Sequence, residues 1–215
     1  MEENMERINA VTFAPFCARG TFEKEETRQS LKLMKEKTGA NYVIFAPNGM
    51  QKTAFSEEID YRTDRNVTDE ELIAMIGYAK ELGLNVALKP TANCADGTWR
   101  AHINFFDEDV VCEPKWGNWF ASYRAFQEHY AGLAQQCGVD LFIAGCEMVQ
   151  TERREAEWRE VIAAIRRKYD GLVSYNTDKY QEHNVKWWDA VDVISSSGRS
   201  EEHTSELQSR LHLVC

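Results

Sequence analysis

The chain has 215 residues, of which 43% are hydrophobic and 28% are charged, and its formal net charge is −10. This length supports one large core rather than two domains, and the acidic balance argues against nucleic acid or an anionic membrane as the partner. An acidic start without an apolar leader predicts a cytoplasmic protein. The six cysteines show no C-x-x-C pair, so we expect reduced thiols.

The predicted elements alternate between apolar strands and amphipathic helices along the chain. Thr68 and Glu71 stand at the spacing of a capping box, which marks the start of one helix. The interval 90–115 is expected to be a long loop. Strands are predicted at 10–16, 41–46, 84–89, 140–145, 172–175 and from 191 to 195, and helices at about 23–37, 69–82, 116–137, 153–169 and 185–189.

The last residues look foreign to this pattern. Residues 199–209 read RSEEHTSELQS, which resembles a common short-read sequencing adapter translated in frame. We therefore expect 199–215 to be a non-native tail, with a polar helical tail as the alternative, and the natural protein to continue beyond Gly198. The fold is inferred from residues 1–198.

Alternating strands and helices with continuous apolar strands predict an α/β protein with a parallel sheet covered on both faces. An open doubly wound sheet and a (β/α)8 TIM barrel both fit this pattern. No G-x-G-x-x-G follows the first strand, and polar and aromatic residues gather after the strand ends, where barrel enzymes keep their chemistry. The prediction is an incomplete barrel of about six β/α units, since a full barrel needs about 250 residues.

Glu147 is the main candidate for a catalytic residue. It directly follows the apolar strand DLFIAG and Cys146, so the strand carries a carboxylate to its own C-terminal end. A carboxyl group held against low-dielectric walls stays protonated more easily and can act as a general acid. The alternative is a structural ion pair with Arg100 or Lys89.

The segment 89–104 (KPTANCADGTWRAHIN) is a candidate sugar-binding segment. Sugars stack their C–H faces on aromatic rings and need several fixed hydrogen-bonding groups for their hydroxyls. The alternative is a rim loop with Trp99 as its own small core. The candidate contacts are Lys89, Trp99, Arg100, His102 and Asn104.

Two further groups of residues contain side chains that could form a binding site. The segment 175–180 (YNTDKY) repeats polar and aromatic groups at a strand end, although taken alone these residues favour a plain turn. A zinc site from Cys94, His102 and Cys112 does not match a standard ligand spacing. The sequence therefore predicts no metal and no cofactor.

Several segments in combination resemble glycoside hydrolase family 113. The resemblance covers nearly all of residues 10–198 and implies a (β/α)8 barrel of the large retaining-glycosidase clan, whose members in this family are chiefly β-1,4-mannanases. The segments are LGLNVALKP (82–90), DGTWR (96–100), the run from WGNWF to AGCE (116–147), EAEWREVIAAIRRKYDG (155–171) and WWDAVDVISSSG (187–198).

The resemblance implies roles for individual residues. Glu147 matches the acid/base glutamate of the family, and Lys89, Trp99, Arg100, Asn176 and Lys179 fall where such barrels contact the sugar before the cleavage point. Many clan members have Asn before the acid/base, whereas this chain has Cys146, which puts the usual bond to the sugar 2-hydroxyl in doubt. The nucleophile of the clan follows the seventh strand, so we expect it to be missing here. Glu152 and Asp178 are wrongly placed to replace it.

The sequence thus predicts a retaining glycoside hydrolase that cleaves β-1,4-linked hemicellulose such as mannan, with an oligosaccharide or polysaccharide as partner. The fragment 1–215 itself is expected to be poorly folded or inactive. A catalytically inactive sugar-binding barrel, a glycosidase acting on xylan or glucan, and a metal-dependent barrel hydrolase are the alternatives.

Overall fold

The computed structural model describes residues 7–198 and the backbone of His212–Val214. Its main sheet has seven strands, all parallel, and curls into part of a (β/α)8 barrel, as the sequence predicts. In spatial order the strands are β1 (Ala10–Thr12), β2 (Tyr42–Phe45), β4 (Asn85–Leu88), β6 (Leu141–Cys146), β7 (Leu172–Thr177), β8 (Val193–Ser196) and β9 (His212–Val214).

Within the described residues four α-helices lie between successive strands: α1 (Glu25–Thr38), α2 (Asp69–Glu81), α3 (Trp116–Cys137) and α4 (Glu155–Arg166). The capping box of α2 forms as predicted, because the Thr68 hydroxyl accepts from the Glu71 N–H and the Glu71 carboxylate accepts from the Thr68 N–H. The α4 helix is shorter than its predicted range. The predicted helix at 185–189 is a 3-10 turn at Trp188–Ala190, after an earlier one at Glu182–Asn184.

The prediction of a long loop at 90–115 was wrong in part, and the strand at 48–51 was not predicted. Two short strands, β3 (Asn48–Gln51) and β5 (Thr91–Cys94), pair in parallel and extend the chain beyond β2 and β4. Each follows a proline, Pro47 or Pro90, which interrupts the main strand. The pair is rich in small and polar residues and lacks the apolar alternation by which strands are recognised.

The two faces of the main sheet bury different side chains. One face packs against the helices, and its core includes Val43 and Phe45 of β2 and a large aromatic group from α3 and α4. The other face contributes a small cluster, which contains Ile44, Ala87, Leu141, Ile143 and Val193. This alternation along each strand is that of a barrel wall, with one face toward the helices and the other toward the barrel interior.

The tail predicted to be foreign lies mostly outside the described residues. Within it only the backbone of β9 is described, which pairs in parallel with β8. In the described part of the chain no helix is long and apolar enough to cross a membrane.

Candidate active site

Glu147 lies directly after β6, at the end of the sheet where the parallel strands finish. Its backbone has a φ of +53°, a left-handed conformation that is uncommon outside glycine and that surrounding contacts must hold. The pairing of β6 with β7 also shifts register between Ile143 and Cys146. Such an irregularity changes the direction in which the following side chains leave the strand.

The glycine before Cys146 allows close packing behind this strand. The Tyr123 hydroxyl donates to the carbonyl of Ala144 at 2.7 Å. A Cβ atom on Gly145 would lie 2.7 Å from that hydroxyl and 3.0 Å from the ring of Tyr175. Glycine is therefore required here for the approach of the two tyrosines to the strand.

The Glu147 carboxylate is held by the predicted segment 89–104. Arg100 Nη1 donates to Oε2 of Glu147 at 3.2 Å, and Trp99 Nε1 donates to the same oxygen at 3.3 Å. The ion-pair partners are largely buried, with side-chain exposures of 10% for Arg100 and 14% for Glu147. The ion pair with Arg100, which the sequence offered as an alternative, is therefore formed. The Glu147 carboxylate has a charged partner in addition to its largely buried environment. Oε1 has no hydrogen-bond partner among the residues described.

The β3–β5 pair positions Arg100. Its Nε donates to the carbonyl of Ala92 at 3.1 Å, and its Nη2 donates to Oδ1 of Asn93 at 2.8 Å. The Asn93 amide donates in turn to Oδ1 of Asn48 at 3.0 Å. The bonds at Nε and Nη2 hold the guanidinium group to β5, and β5 is in turn bonded to β3. These two short strands therefore determine where Nη1 meets Glu147.

A cleft of about 470 Å³ lies next to this ion pair. Trp99 and Phe16 are among its lining residues and are 44% and 61% exposed. Asn48, Asn93 and Arg100 also line it. The cleft thus combines aromatic faces with hydrogen-bonding groups beside a carboxylate, the composition that sugar recognition requires.

Three other residues that were predicted to contact the sugar have neighbours other than Glu147. His102 is exposed and meets Trp99 edge to face at 5.7 Å, while Asn104 accepts from Arg153 at 2.9 Å. Neither has a hydrogen bond to Glu147 in the described structure. Lys179 is exposed, with its ammonium 5.8 Å from the ring centroid of Tyr180.

Lys89 and Asn176 stand at the ends of two parallel strands, and Asn176 contacts Glu147. Lys89 follows β4 and is 7% exposed. Asn176 is buried in β7, and its carbonyl accepts from the Glu147 N–H at 2.8 Å. Its side-chain amide donates to the Ser197 hydroxyl at 2.8 Å, and its Oδ1 is buried without a partner among the described residues. The predictions that these residues contact a sugar stay predictions.

Glu152 is buried and does not line the cleft. It is 1% exposed, and its carboxylate accepts from Tyr175 and Thr177 of β7. Burial raises the pKa of this carboxyl to about 7, while the two hydroxyl hydrogen bonds oppose the shift. Within the described part of the chain no group of three or more His, Cys, Asp or Glu side chains could hold a metal ion.

A comparison with known protein families shows which family the chain belongs to. The profile of Glycoside Hydrolase Family 113 matches residues 11–213. The chain belongs to this family. Among solved structures, a family 113 β-1,4-mannanase is 56% identical, with a TM-score of 0.89, and the match covers 90% of this chain and 63% of that one.

A second solved member of family 113 gives the same result. The β-mannanase from Alicyclobacillus acidocaldarius, solved in complex with ManMIm, is 41% identical with a TM-score of 0.86 over 90% of this chain and 62% of its own. The exo-β-1,4-mannosidase of Opitutaceae bacterium strain TAV5 is 13% identical with a TM-score of 0.55 over 88% of this chain and 38% of its own, which shows the fold alone. The chain therefore spans about 63% of the length of the family structures named. A comparison with curated proteins gives no match.

Sequence reasoning missed three contributors to the site, and it missed the buried acid Glu152 near it. Asn48 lies in a strand that was not predicted, Asn93 lies in the interval predicted as a loop, and Phe16 was predicted as the end of the first strand. Phe16 instead has a φ of +62° and leaves the strand as an exposed lining residue of the cleft. Glu152 was considered only as a nucleophile. The signal that the sequence offers for Glu152 is its position five residues after Glu147, which places it near the same end of the sheet.

Proposed function

We propose that the protein is a retaining glycoside hydrolase that cleaves β-1,4-linked mannan or manno-oligosaccharides, with Glu147 as its general acid/base. The observation that carries the proposal is the carboxylate of Glu147 at the end of β6, held at one oxygen by Arg100 and Trp99 beside an aromatic cleft. The 56% identical family member is a β-1,4-mannanase, and this likeness supports the choice of substrate.

The cleft would receive the sugar units of the chain. The exposed ring of Trp99 offers a face for the C–H groups of a pyranose, and Phe16 offers a second aromatic surface. The amides of Asn48 and Asn93 would then bind hydroxyls. Lys89 and Asn176, at the ends of β4 and β7, remain proposed contacts of the sugar at the cleavage point.

The reaction needs Glu147 twice. It first donates a proton to the oxygen of the departing sugar and then removes a proton from the water that releases the glycosyl-enzyme. Oε2 is occupied by its two protein donors, which leaves Oε1 to exchange the proton. Arg100 and Trp99 would keep the carboxyl group in one orientation through both steps.

Retention also requires a second carboxyl group about 5–5.5 Å from the first, acting as nucleophile. Glu152 does not fit this role, because it is buried and bonded to Tyr175 and Thr177. We assign the nucleophile to a later strand of the barrel, outside residues 7–198. The activity proposed is accordingly that of the full-length enzyme.

The test is Glu147→Gln in the full-length enzyme, measured on mannotetraose and on an aryl β-mannobioside with a dinitrophenyl leaving group. Because general acid catalysis contributes about 10²–10⁴-fold, we expect a loss of that order in kcat/KM on mannotetraose and a much smaller loss on the activated substrate. On the dinitrophenyl substrate azide should replace water in attacking the mannobiosyl-enzyme, restore turnover and give a β-mannobiosyl azide. Glu113→Gln, an exposed carboxylate, serves as the control.

Other outcomes would assign another function. Unchanged turnover by Glu147→Gln contradicts an acid/base role for Glu147. Binding of manno-oligosaccharides without any turnover by the wild-type enzyme indicates a sugar-binding barrel. Preference for xylan or cello-oligosaccharides over mannan would change the substrate class, and loss of activity on chelation would indicate a metal-dependent hydrolase.

A further inference from the structure

Glu152 is a buried acid with no role in the proposed reaction. It follows the one-turn 3-10 helix Val149–Thr151. One carboxylate oxygen, Oε1, accepts from the Tyr175 hydroxyl at 2.8 Å and from the Thr177 hydroxyl at 2.7 Å. The other, Oε2, is buried without a hydrogen-bond partner among the described residues. Both hydroxyls belong to β7, the neighbour of the strand that carries Glu147.

Among the residues that the structure describes, no cation forms an ion pair with this carboxyl group. The charged groups that shift its pKa are Asp178 and Glu182, and both raise it. An acid that is buried with only hydroxyl partners is costly for the fold. Buried titratable groups of this kind cluster at functional sites.

Tyr175 connects Glu152 to the acid/base. Its hydroxyl donates its hydrogen to Glu152 and accepts from the N–H of Met148 at 3.2 Å. A phenol has one hydrogen to donate, so the carboxylate of Glu152 determines which way the O–H points. With the hydrogen turned toward Glu152, a lone pair of the oxygen is left for the Met148 N–H.

Met148 directly follows Glu147, so its peptide group sets the direction in which Glu147 leaves the backbone. The Glu147 N–H donates to the carbonyl of Asn176 at 2.8 Å, and the Met148 carbonyl accepts from the N–H and the hydroxyl of Thr151 at 2.8 and 2.7 Å. The two peptide groups that flank Glu147 are thus bonded through the N–H of Glu147 and the N–H of Met148, and the Met148 carbonyl fixes the peptide group that follows. These contacts hold the unfavourable φ of +53°.

We propose that Glu152 is a positioning residue for Glu147 and acts through the hydroxyl of Tyr175 on the Met148 peptide group. Glu152 does not contact the sugar in this arrangement. Its effect on catalysis rests on the proposed function of Glu147, whereas its effect on the peptide group can be measured separately.

The kinetic test compares two substrates in the full-length enzyme carrying Tyr175→Phe, Glu152→Ala or Glu152→Gln. A misplaced acid slows substrates that need a proton on the leaving group, so Tyr175→Phe and Glu152→Ala should lower kcat/KM on mannotetraose by about tenfold or more. On dinitrophenyl β-mannobioside they should change it by less than about threefold. Glu152→Gln keeps an acceptor for both hydroxyls and should restore most of the rate on mannotetraose.

Tyr169→Phe is the matched control, because the Tyr169 hydroxyl donates at 2.7 Å to the carbonyl of Val139, near the opposite end of β6. It should leave the ratio of the two rates unchanged. An equal loss on both substrates in Tyr175→Phe would show a purely structural role and overturn the proposal. No loss on either substrate would overturn it as well.

A second measurement does not depend on turnover. We expect the amide hydrogen of Met148 to exchange about tenfold faster or more in Tyr175→Phe and in Glu152→Ala, and at the wild-type rate in Tyr169→Phe. Unchanged exchange would refute the link through Tyr175. An enzyme without turnover on either substrate but with this exchange pattern would refute the proposed function and retain the positioning role.

Discussion

Two regions of the molecule contact Glu147 by different means. One is formed by the ends of β6 and β7, and the other is the loop that carries Trp99. In β7 the carbonyl of Asn176 accepts from the Glu147 N–H and the hydroxyl of Tyr175 accepts from the N–H of the next residue, Met148, in a closely packed, fully buried region. The loop bonds to the Glu147 carboxylate, through side chains that border an open cleft. Substitutions in the first region should therefore affect folding most, and those in the second should affect binding and charge.

The largest expected effect is at Gly145, where the two tyrosines pack against the strand. Gly145→Ala places a Cβ atom 2.7 Å from the Tyr123 hydroxyl, and we expect a loss of about 1–3 kcal/mol in the free energy of unfolding. Gly132→Ala in α3 meets no atom within 4 Å and should gain about 0.5–1 kcal/mol from helix propensity. Urea unfolding measures both. Equal effects would contradict the close packing behind β6.

The second effect is the pH dependence of stability from Glu152. Its pKa is raised from 4.5 to about 7 in the folded protein, so the folded state keeps a proton that the unfolded state loses as the pH rises through this interval. The stabilisation is full below pH 4.5 and is lost as the pH rises through about 7, with an upper limit of about 3 kcal/mol. Urea unfolding across this range should show the decline in the wild type but not in Glu152→Gln. A decline of equal size in both would assign it to other groups.

The third effect is expected for Arg100→Gln, which removes the charged partner of the Glu147 carboxylate. Loss of a largely buried ion pair is expected to lower the free energy of unfolding by about 1–2 kcal/mol. Arg124→Gln breaks the more exposed pair with Glu160 and should cost less than about 0.5 kcal/mol. Chemical denaturation of both variants makes the comparison. Equal costs would mean that Arg100 is no better anchored than a surface residue.

The smallest effect on stability is expected at Trp99. Its ring is 44% exposed, so Trp99→Ala should change the free energy of unfolding by less than about 0.5 kcal/mol. Affinity for manno-oligosaccharides should nevertheless fall by about 1 kcal/mol, or about fivefold, because a stacking face is lost. Isothermal titration with mannotriose measures this loss. Phe55→Ala, an exposed aromatic residue away from the cleft, should leave affinity unchanged.

The sequence by itself determined the parallel sheet, the helices and the position of Glu147. Apolar strands and amphipathic helices carry periodic patterns, and capping residues such as Thr68 and Glu71 act on neighbours a few positions away, so local reasoning finds them. The end of an apolar strand likewise identifies a site without knowledge of its partners. The family resemblance added the role of Glu147 and the expected substrate.

Only the tertiary structure decided how Glu147 is held. The β3–β5 pair joins Asn48 to Asn93, 45 positions apart, and neither strand has an apolar pattern. The register shift before Cys146, the left-handed backbone of Glu147 and the contact of Glu152 with Tyr175 depend on the neighbouring strand. Such features arise from the pairing of distant segments, whose geometry is not encoded in local composition or spacing.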